Sequence, residues 1–209
     1  MVILMNMKTV LFFFLLLSFN SASKAQLKFV VEDFEGFADG SSDLKANGLF
    51  TYGNIKATVD YKMGTQQDYN GERYLRLNKE GKLSYGGWGK GISLNVQLDP
   101  DKDNFNFYVY VPVASNDTIK IELQEDDNAN ATYEKESDDA WIYVQAIEEK
   151  QVKGKWQLIS IPLNKFKDSN PGGDGVLNIN YKHGKLLNLI FSFLNSDARV
   201  HVKFPKRRN

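Results

Sequence analysis

Alternation is the feature that most constrains this chain. Ile92, Leu94, Val96 and Leu98 alternate with Ser93, Asn95 and Gln97, and Phe105, Phe107, Val109, Val111 and Val113 with Asn106, Tyr108 and Tyr110. Ile119, Ile121 and Leu123 alternate with Lys120, Glu122 and Gln124, and Val200, Val202 and Phe204 with Arg199, His201 and Lys203. A period of two with one apolar face marks half-buried antiparallel strands, and no stretch sustains a helical period. Further strands are expected at 27–34, 56–63, 73–78, 141–147, 156–161 and 186–194. Turn-forming residues gather at Gly86-Gly87, Asp99–Asn104, Ser115–Asp117, Asp126–Asn130 and Ser169–Gly175. So many short strands with turns between them predict an all-β chain, a single antiparallel β-sandwich of the jelly-roll kind.

Such a sandwich must be held by its core. Hydrophobic residues make up 42% of the 209, enough to fill one. Cysteine is absent, which excludes a disulfide framework, a thiolate nucleophile and a Cys-ligated metal. Two histidines are too few for a His-rich metal site, and 26 basic residues against 26 acidic ones lack the basic excess of a nucleic-acid binder. No G-x-S-x-G elbow, H-E-x-x-H or phosphate loop is present.

The N-terminus reads as a secretory signal. Lys8 is followed by the apolar run Thr9–Phe19, and Ser23-Lys24-Ala25 is a small-x-small cleavage pattern. A membrane anchor is the competing reading, but the run falls short of the roughly 20 residues a spanning helix needs. The expectation is a signal peptide at 1–25, a domain at 26–209, and a secreted or periplasmic protein with no membrane span after cleavage. Losing Lys8 and Lys24 leaves 24 basic and 26 acidic residues, a formal charge of −2.

The alternation also assigns faces. With Phe105, Phe107 and Val109 inward, Tyr108 and Tyr110 face outward, as do Glu122 and Gln124 on the next strand. On 141–147 the apolar set Ile142, Val144 and Ala146 is expected inward, which puts Trp141, Tyr143 and Gln145 outside. The last strand presents Arg199 and His201. Aromatic faces pack on the C–H groups of pyranose rings, and amides and charged groups pair with sugar hydroxyls. The competing reading is a satellite core under a second layer of loops. Trp156 is expected to anchor the core. Trp88, in Gly86-Gly87-Trp88-Gly89-Lys90-Gly91, is either a loop-borne stacking platform or a plug at the sandwich end.

Acids cluster on loops. Asp126, Asp127, Asp138 and Asp139 are hard-oxygen ligands of the kind calcium takes, with Asp168, Asn170 and Asp174 a weaker set. Glu122, Asp127, Asp138 and Asp139 are alternatively the acids of a small jelly-roll glycoside hydrolase or polysaccharide lyase. A solvated loop is the third reading.

Some segments carry a resemblance. The chain opens with Val30-Val31-Glu32-Asp33-Phe34-Glu35, then has Gly87-Trp88-Gly89, Phe107-Tyr108-Val109-Tyr110 and Ile119-Lys120-Ile121-Glu122-Leu123. It later carries Trp156-Gln157-Leu158-Ile159-Ser160-Ile161-Pro162-Leu163 with Phe166. Over about 27–204 it resembles galactose-binding-like jelly rolls, nearest to the carbohydrate-binding module of family eleven and its relatives. The resemblance implies a non-catalytic glycan-binding sandwich for a β-glucan-like polysaccharide, acting beside a separate glycan-degrading enzyme. It also implies a structural calcium held by the opening acids, Glu32, Asp33 and Glu35, and by a late aspartate. Where relatives carry Asp-Asp in the last strand this chain has Arg199-Val200-His201-Val202, and Asp197 is the nearest substitute. A structural or adhesion protein of the cell envelope is the remaining alternative.

Overall fold

In a computed structural model the described residues are 29–61, 73–79, 85–94, 96–110, 117–147, 156–179, 184–194 and 199–204. The alternating runs fold there into eleven strands: β1 Leu49–Gly53, β2 Ile55–Tyr61, β3 Arg73–Lys79, β4 Gly86–Leu94, β5 Asn104–Tyr110, β6 Asp117–Glu125, β7 Ala140–Ile147, β8 Gln157–Pro162, β9 Lys167–Asp168, β10 Leu186–Phe193 and β11 Arg199–Lys203. Two single 3-10 turns, Lys45–Asn47 and Leu163–Lys165, are the only helical pieces among the described residues. The signal-peptide segment and Asp197 lie outside the described residues.

Every strand pair is antiparallel, and the strands form two sheets. One has six strands in the order β1-β4-β10-β6-β7-β9, the other five in the order β2-β3-β11-β5-β8. Their inner faces meet in one core: Leu75, Leu77, Phe107, Val109, Ile161 and Val202 from the five-stranded sheet, and Trp88, Ile119, Ile121, Leu123, Trp141, Leu189 and Phe191 from the six-stranded one. This is the expected all-β sandwich. Its centre is aromatic. Trp88 stacks on Phe191 with centroids 5.0 Å apart, while Phe34 and Phe204 meet Trp88 edge-on at 6.3 and 5.9 Å. Edge-to-face and offset-stacked rings each add to the burial of their own area.

Four expectations are corrected here. Gly86–Gly91 is neither turn nor loop but most of β4, an interior strand, and Trp88 on it is fully buried. The opening segment forms no strand over 29–34. Glu32 there accepts the Phe34 N–H at 2.7 Å and pairs with Lys90, holding the left-handed turn (φ 60° at Phe34) that drives the Phe34 ring into the core. Trp156 is buried, yet it packs on Tyr74 and Tyr110, which point away from the main core. The strand that follows it, β8, is an edge strand with Leu158 exposed.

The fourth concerns phase. On β7 it is Trp141, Tyr143 and Ile147 that face inward, and Ile142, Val144 and Ala146 that face outward. A Trp and a Tyr carry more apolar area than Ile, Val and Ala, and their polar tips can be satisfied inside. Trp141 does this by donating its Nε1–H to Glu125 Oε2 at 3.1 Å.

Candidate functional site

The register places the sequence-predicted ligand residues on three different surfaces. Tyr108 and Tyr110 alternate with Val109 on the outer face of the five-stranded sheet, where His201 lies opposite Tyr110 and Arg76, and Arg199 opposite Asn78. Glu122 and Gln124 lie on the outer face of the six-stranded sheet. Trp141 and Tyr143 point into the sandwich, and Gln145 shares their parity and bonds the Ala146 carbonyl. Trp88 is in the core. The face expected to join these residues is therefore two faces and an interior, and only Glu122 and Gln124 keep neighbours of the expected kind.

Those neighbours come from strands read differently or not at all. In antiparallel pairs, opposed residues share a face. Trp88 opposes Phe191 inside, so the intervening Gly87 and Gly89 show the other face, opposite Ser192 and Ile190 of β10. On the edge strand β1, Tyr52 opposes Gly87 and Phe50 opposes Gly89. The rings lie directly on the glycines: a Cβ at Gly89 would meet Phe50 Cζ at 2.3 Å, and one at Gly87 would meet the Tyr52 hydroxyl oxygen at 2.5 Å. At Gly89 the Phe50 ring fills the space a side chain would take, and at Gly87 the Phe191 carbonyl oxygen, 1.9 Å from an added Cβ, excludes one as well. Phe50 stays 38% exposed, and Tyr85, just before β4, is 54% exposed.

Beside the rings runs a linked polar row. Lys120 Nζ donates to Glu122 Oε2 at 3.0 Å, Gln124 Nε2 to Glu122 Oε1 at 2.7 Å, and Asn188 Nδ2 to Gln124 Oε1 at 2.9 Å. Across the face Tyr52 Oη and Ser192 Oγ share a hydrogen bond of 2.7 Å. Burial pushes the Tyr52 phenol above its ordinary range, with the Glu122 charge and Tyr85 adding to the rise. Tyr133, on the loop after β6, is raised in the same way by burial and then by the Glu122 charge, with Asp138, Glu136 and Asp139 adding to the rise. The face thus carries Phe50, Tyr52 and Tyr85 beside a preset row of donors and acceptors. The sequence signal for the first two was the glycine run itself: bare positions at 87 and 89 call for something else to cover the sheet.

The acids divide sharply. Asp126 accepts the N–H groups of Asn130 and Ala131, each at 3.0 Å. Asp138 accepts those of Asp127, Asn128 and Glu134 at 3.0, 3.3 and 2.7 Å. Both shape the loop rather than facing a ligand. The opening acids do not converge either: Glu32 serves Lys90 and Phe34, Asp33 accepts the Glu35 N–H at 3.1 Å, and Glu35 accepts the Arg73 N–H at 3.2 Å. Asn170 bonds backbone groups of Ala140, Lys135 and Asp138, Asp168 caps the Asn170 N–H, and Asp174 the Val176 N–H. What does converge among the described residues is Glu125, Asp127 and Asp139, one oxygen of each within 4.8 Å of the others, a group able to hold a metal ion. Burial, then the charge of Asp127, pushes Glu125 up to about 8; burial raises Asp127 to about 6 and lifts Asp139 as well. The acids considered for hydrolysis do not make a pair across one cleft. Glu122 lies on the sheet face, Asp138 is spent on backbone N–H groups, and half-buried Asp127 sits beside buried Asp139.

Comparison with known proteins bears on both sheets. No curated protein matches the sequence at a significant level. Among solved structures the chain is similar to a family 11 carbohydrate-binding module from Clostridium thermocellum, in complex with a β-1,3-1,4-mixed-linked tetrasaccharide. The identity is 18%, over 83% of this chain and 91% of that one, with a TM-score of 0.51. An arabinose-bound MgGH51 α-L-arabinofuranosidase matches at a TM-score of 0.51 and 10% identity, over 83% of this chain and 25% of that one. Both likenesses speak for the β-sandwich. A family model, "Carbohydrate binding domain 30", matches residues 17–197. That match takes in β1 to β10, with the glycine strand and the polar row, and by it the chain belongs to the carbohydrate binding domain 30 family, as a carbohydrate-binding module.

Proposed function

We propose that the protein is exported, works outside the cytoplasm without catalysing a reaction, and binds a polysaccharide along the outer face of the six-stranded sheet, with calcium as its structural ion. The observation that carries this reading is the pair of rings, Phe50 and Tyr52, laid on Gly89 and Gly87 beside the row Lys120, Glu122, Gln124 and Asn188. The rings offer flat apolar surface to sugar C–H groups. The row offers an ammonium, a carboxylate and two amides to hydroxyls, in positions already fixed by mutual hydrogen bonds, so little ordering is left for binding. A β-glucan is the first candidate, since the family 11 module of similar fold was captured with a mixed-linked β-glucan fragment.

Affinity electrophoresis through gels containing soluble β-glucan, xyloglucan, xylan or mannan tests the proposal. Retardation in at least one gel is expected, and Phe50→Ala and Glu122→Ala should each reduce it while the thermal midpoint stays near that of the wild type. Tyr108→Ala, on the other sheet, should leave it unchanged. Equal retardation of Phe50→Ala and wild type would move the site elsewhere. Release of reducing ends or unsaturated products from any of these polymers would overturn the non-catalytic reading.

A further inference from the structure

Glu125 and Asp139 are both fully buried, at 0% exposure, and sit with Asp127 within 4.8 Å at the end of the sandwich. Their hydrogen bonds can be counted oxygen by oxygen. Glu125 Oε1 accepts the Asn178 N–H at 3.1 Å and Oε2 the Trp141 Nε1–H at 3.1 Å. Asp127 Oδ2 accepts the Asp139 N–H at 2.7 Å, and Asp139 Oδ2 the Gly175 N–H at 2.9 Å. Asp127 Oδ1 and Asp139 Oδ1 remain, both buried and both without a hydrogen-bond partner. A buried polar atom left unpaired is costly, and a buried carboxylate oxygen more so. Among the described residues no lysine or arginine pairs with any of the three acids. The group is closed on one side by Gly173, at φ +71°, where a Cβ would come 2.1 Å from Asp139 Oδ1 and 2.7 Å from Asp127 Oδ2.

We propose that Glu125, Asp127 and Asp139 form a binding site for a hard divalent cation of calcium's class, and that the two orphaned aspartate oxygens are its first ligands. Calcium accepts six to eight oxygens at about 2.3–2.6 Å, so ligands on opposite sides of it lie roughly 4.6–5.2 Å apart, which suits three oxygens within 4.8 Å. Magnesium's shorter bonds and reluctance to shed water make it the poorer fit. The ion would join the end of β6, the start of β7 and the 169–178 loop, three segments that come together only in the folded chain. This gives the calcium of the proposed function its residues, at a place other than the opening acids, and it does not depend on which glycan binds.

The test uses the full chain stripped with a chelator and titrated with terbium under tryptophan excitation. Because the Trp141 indole is bonded to Glu125, sensitised terbium emission is expected to rise and saturate. Calcium should displace it at lower concentration than magnesium, and calcium should raise the thermal midpoint. Asp127→Asn and Asp139→Asn should each abolish the emission; a cooperative melt in chelator shows whether each variant is folded, and either one suffices. Trp141→Phe should dim the emission but keep the calcium-induced rise in midpoint. Glu32→Gln should keep both. Absence of saturable emission from folded wild type, or its loss in Glu32→Gln but not in Asp127→Asn, would overturn the proposal. Polysaccharide retardation measured on the same samples separates the two readings, since it can fail while terbium binding succeeds.

Discussion

At the scale of single residues the core and the site ask opposite things of their aromatics. Trp88 is sandwiched by rings on several sides, and its replacement by Ala leaves a cavity that neighbours packed on two sheets cannot close. We expect Trp88→Ala to cost about 3–5 kcal/mol in urea unfolding. Phe50, by contrast, rests on Gly89 with one face open, so Phe50→Ala should barely change the urea midpoint and act on glycan affinity instead. The loss should be roughly the 1–3 kcal/mol that stacking on an aromatic side chain contributes in other ligands. Tyr74 gives a pH signature. Burial, then the Asp60 charge, pushes its phenol up to about 12 in the folded protein. The unfolded chain releases that proton near pH 10, so between about 10 and 12 the unfolded state binds fewer protons and stability falls as pH rises. Urea midpoints across this range should drop less steeply for Tyr74→Phe than for wild type; parallel curves would refute the assignment.

At the scale of elements, alternation located most strands and misjudged what they do where aromatic and small residues compete. The runs at 56–63, 73–78, 141–147, 156–161 and 186–194 correspond to β2, β3, β7, β8 and β10, because each alternates or is apolar enough to fill one face. The phase of β7 was not legible in the same way. Trp-x-Tyr-x-Gln looks more polar than Ile-x-Val-x-Ala, yet the polar tip of Trp141 is satisfied within by Glu125. Equally hidden was β4, since four glycines read as a turn when no partner strand is in view. Its two central glycines make a contrasting pair. At Gly89 an added methyl meets the ring of Phe50, which can swing away; at Gly87 it meets the Phe191 carbonyl oxygen at 1.9 Å, which cannot. Gly89→Ala should fold normally and bind glycan less well, while Gly87→Ala should lower the thermal midpoint by several degrees.

At the scale of the whole molecule, the 126–139 loop links the acidic group to the strand that bears the polar row. Its ends carry Asp127 and Asp139, and the Glu122 charge is felt at Tyr133 in its middle. Chelation should therefore weaken polysaccharide retardation in wild type and have little further effect in Tyr133→Ala; equal sensitivity of the two would mean that the ion and the face act independently. The acidic group itself was half legible. The parity that sends Leu123 and Trp141 inward sends Glu125 and Asp139 inward too, but which acids of a run are spent on backbone N–H groups emerges only from the folded loop. Strand β1 is an edge strand hydrogen-bonded to β4 alone among the described strands, and of its residues Leu49 alone is buried, while Phe50 and Tyr52 point outward. The residues that would read the sugar thus sit on the part of the sheet that the core depends on least, so their identities can drift, or be redesigned, toward new glycans while the scaffold stays the same.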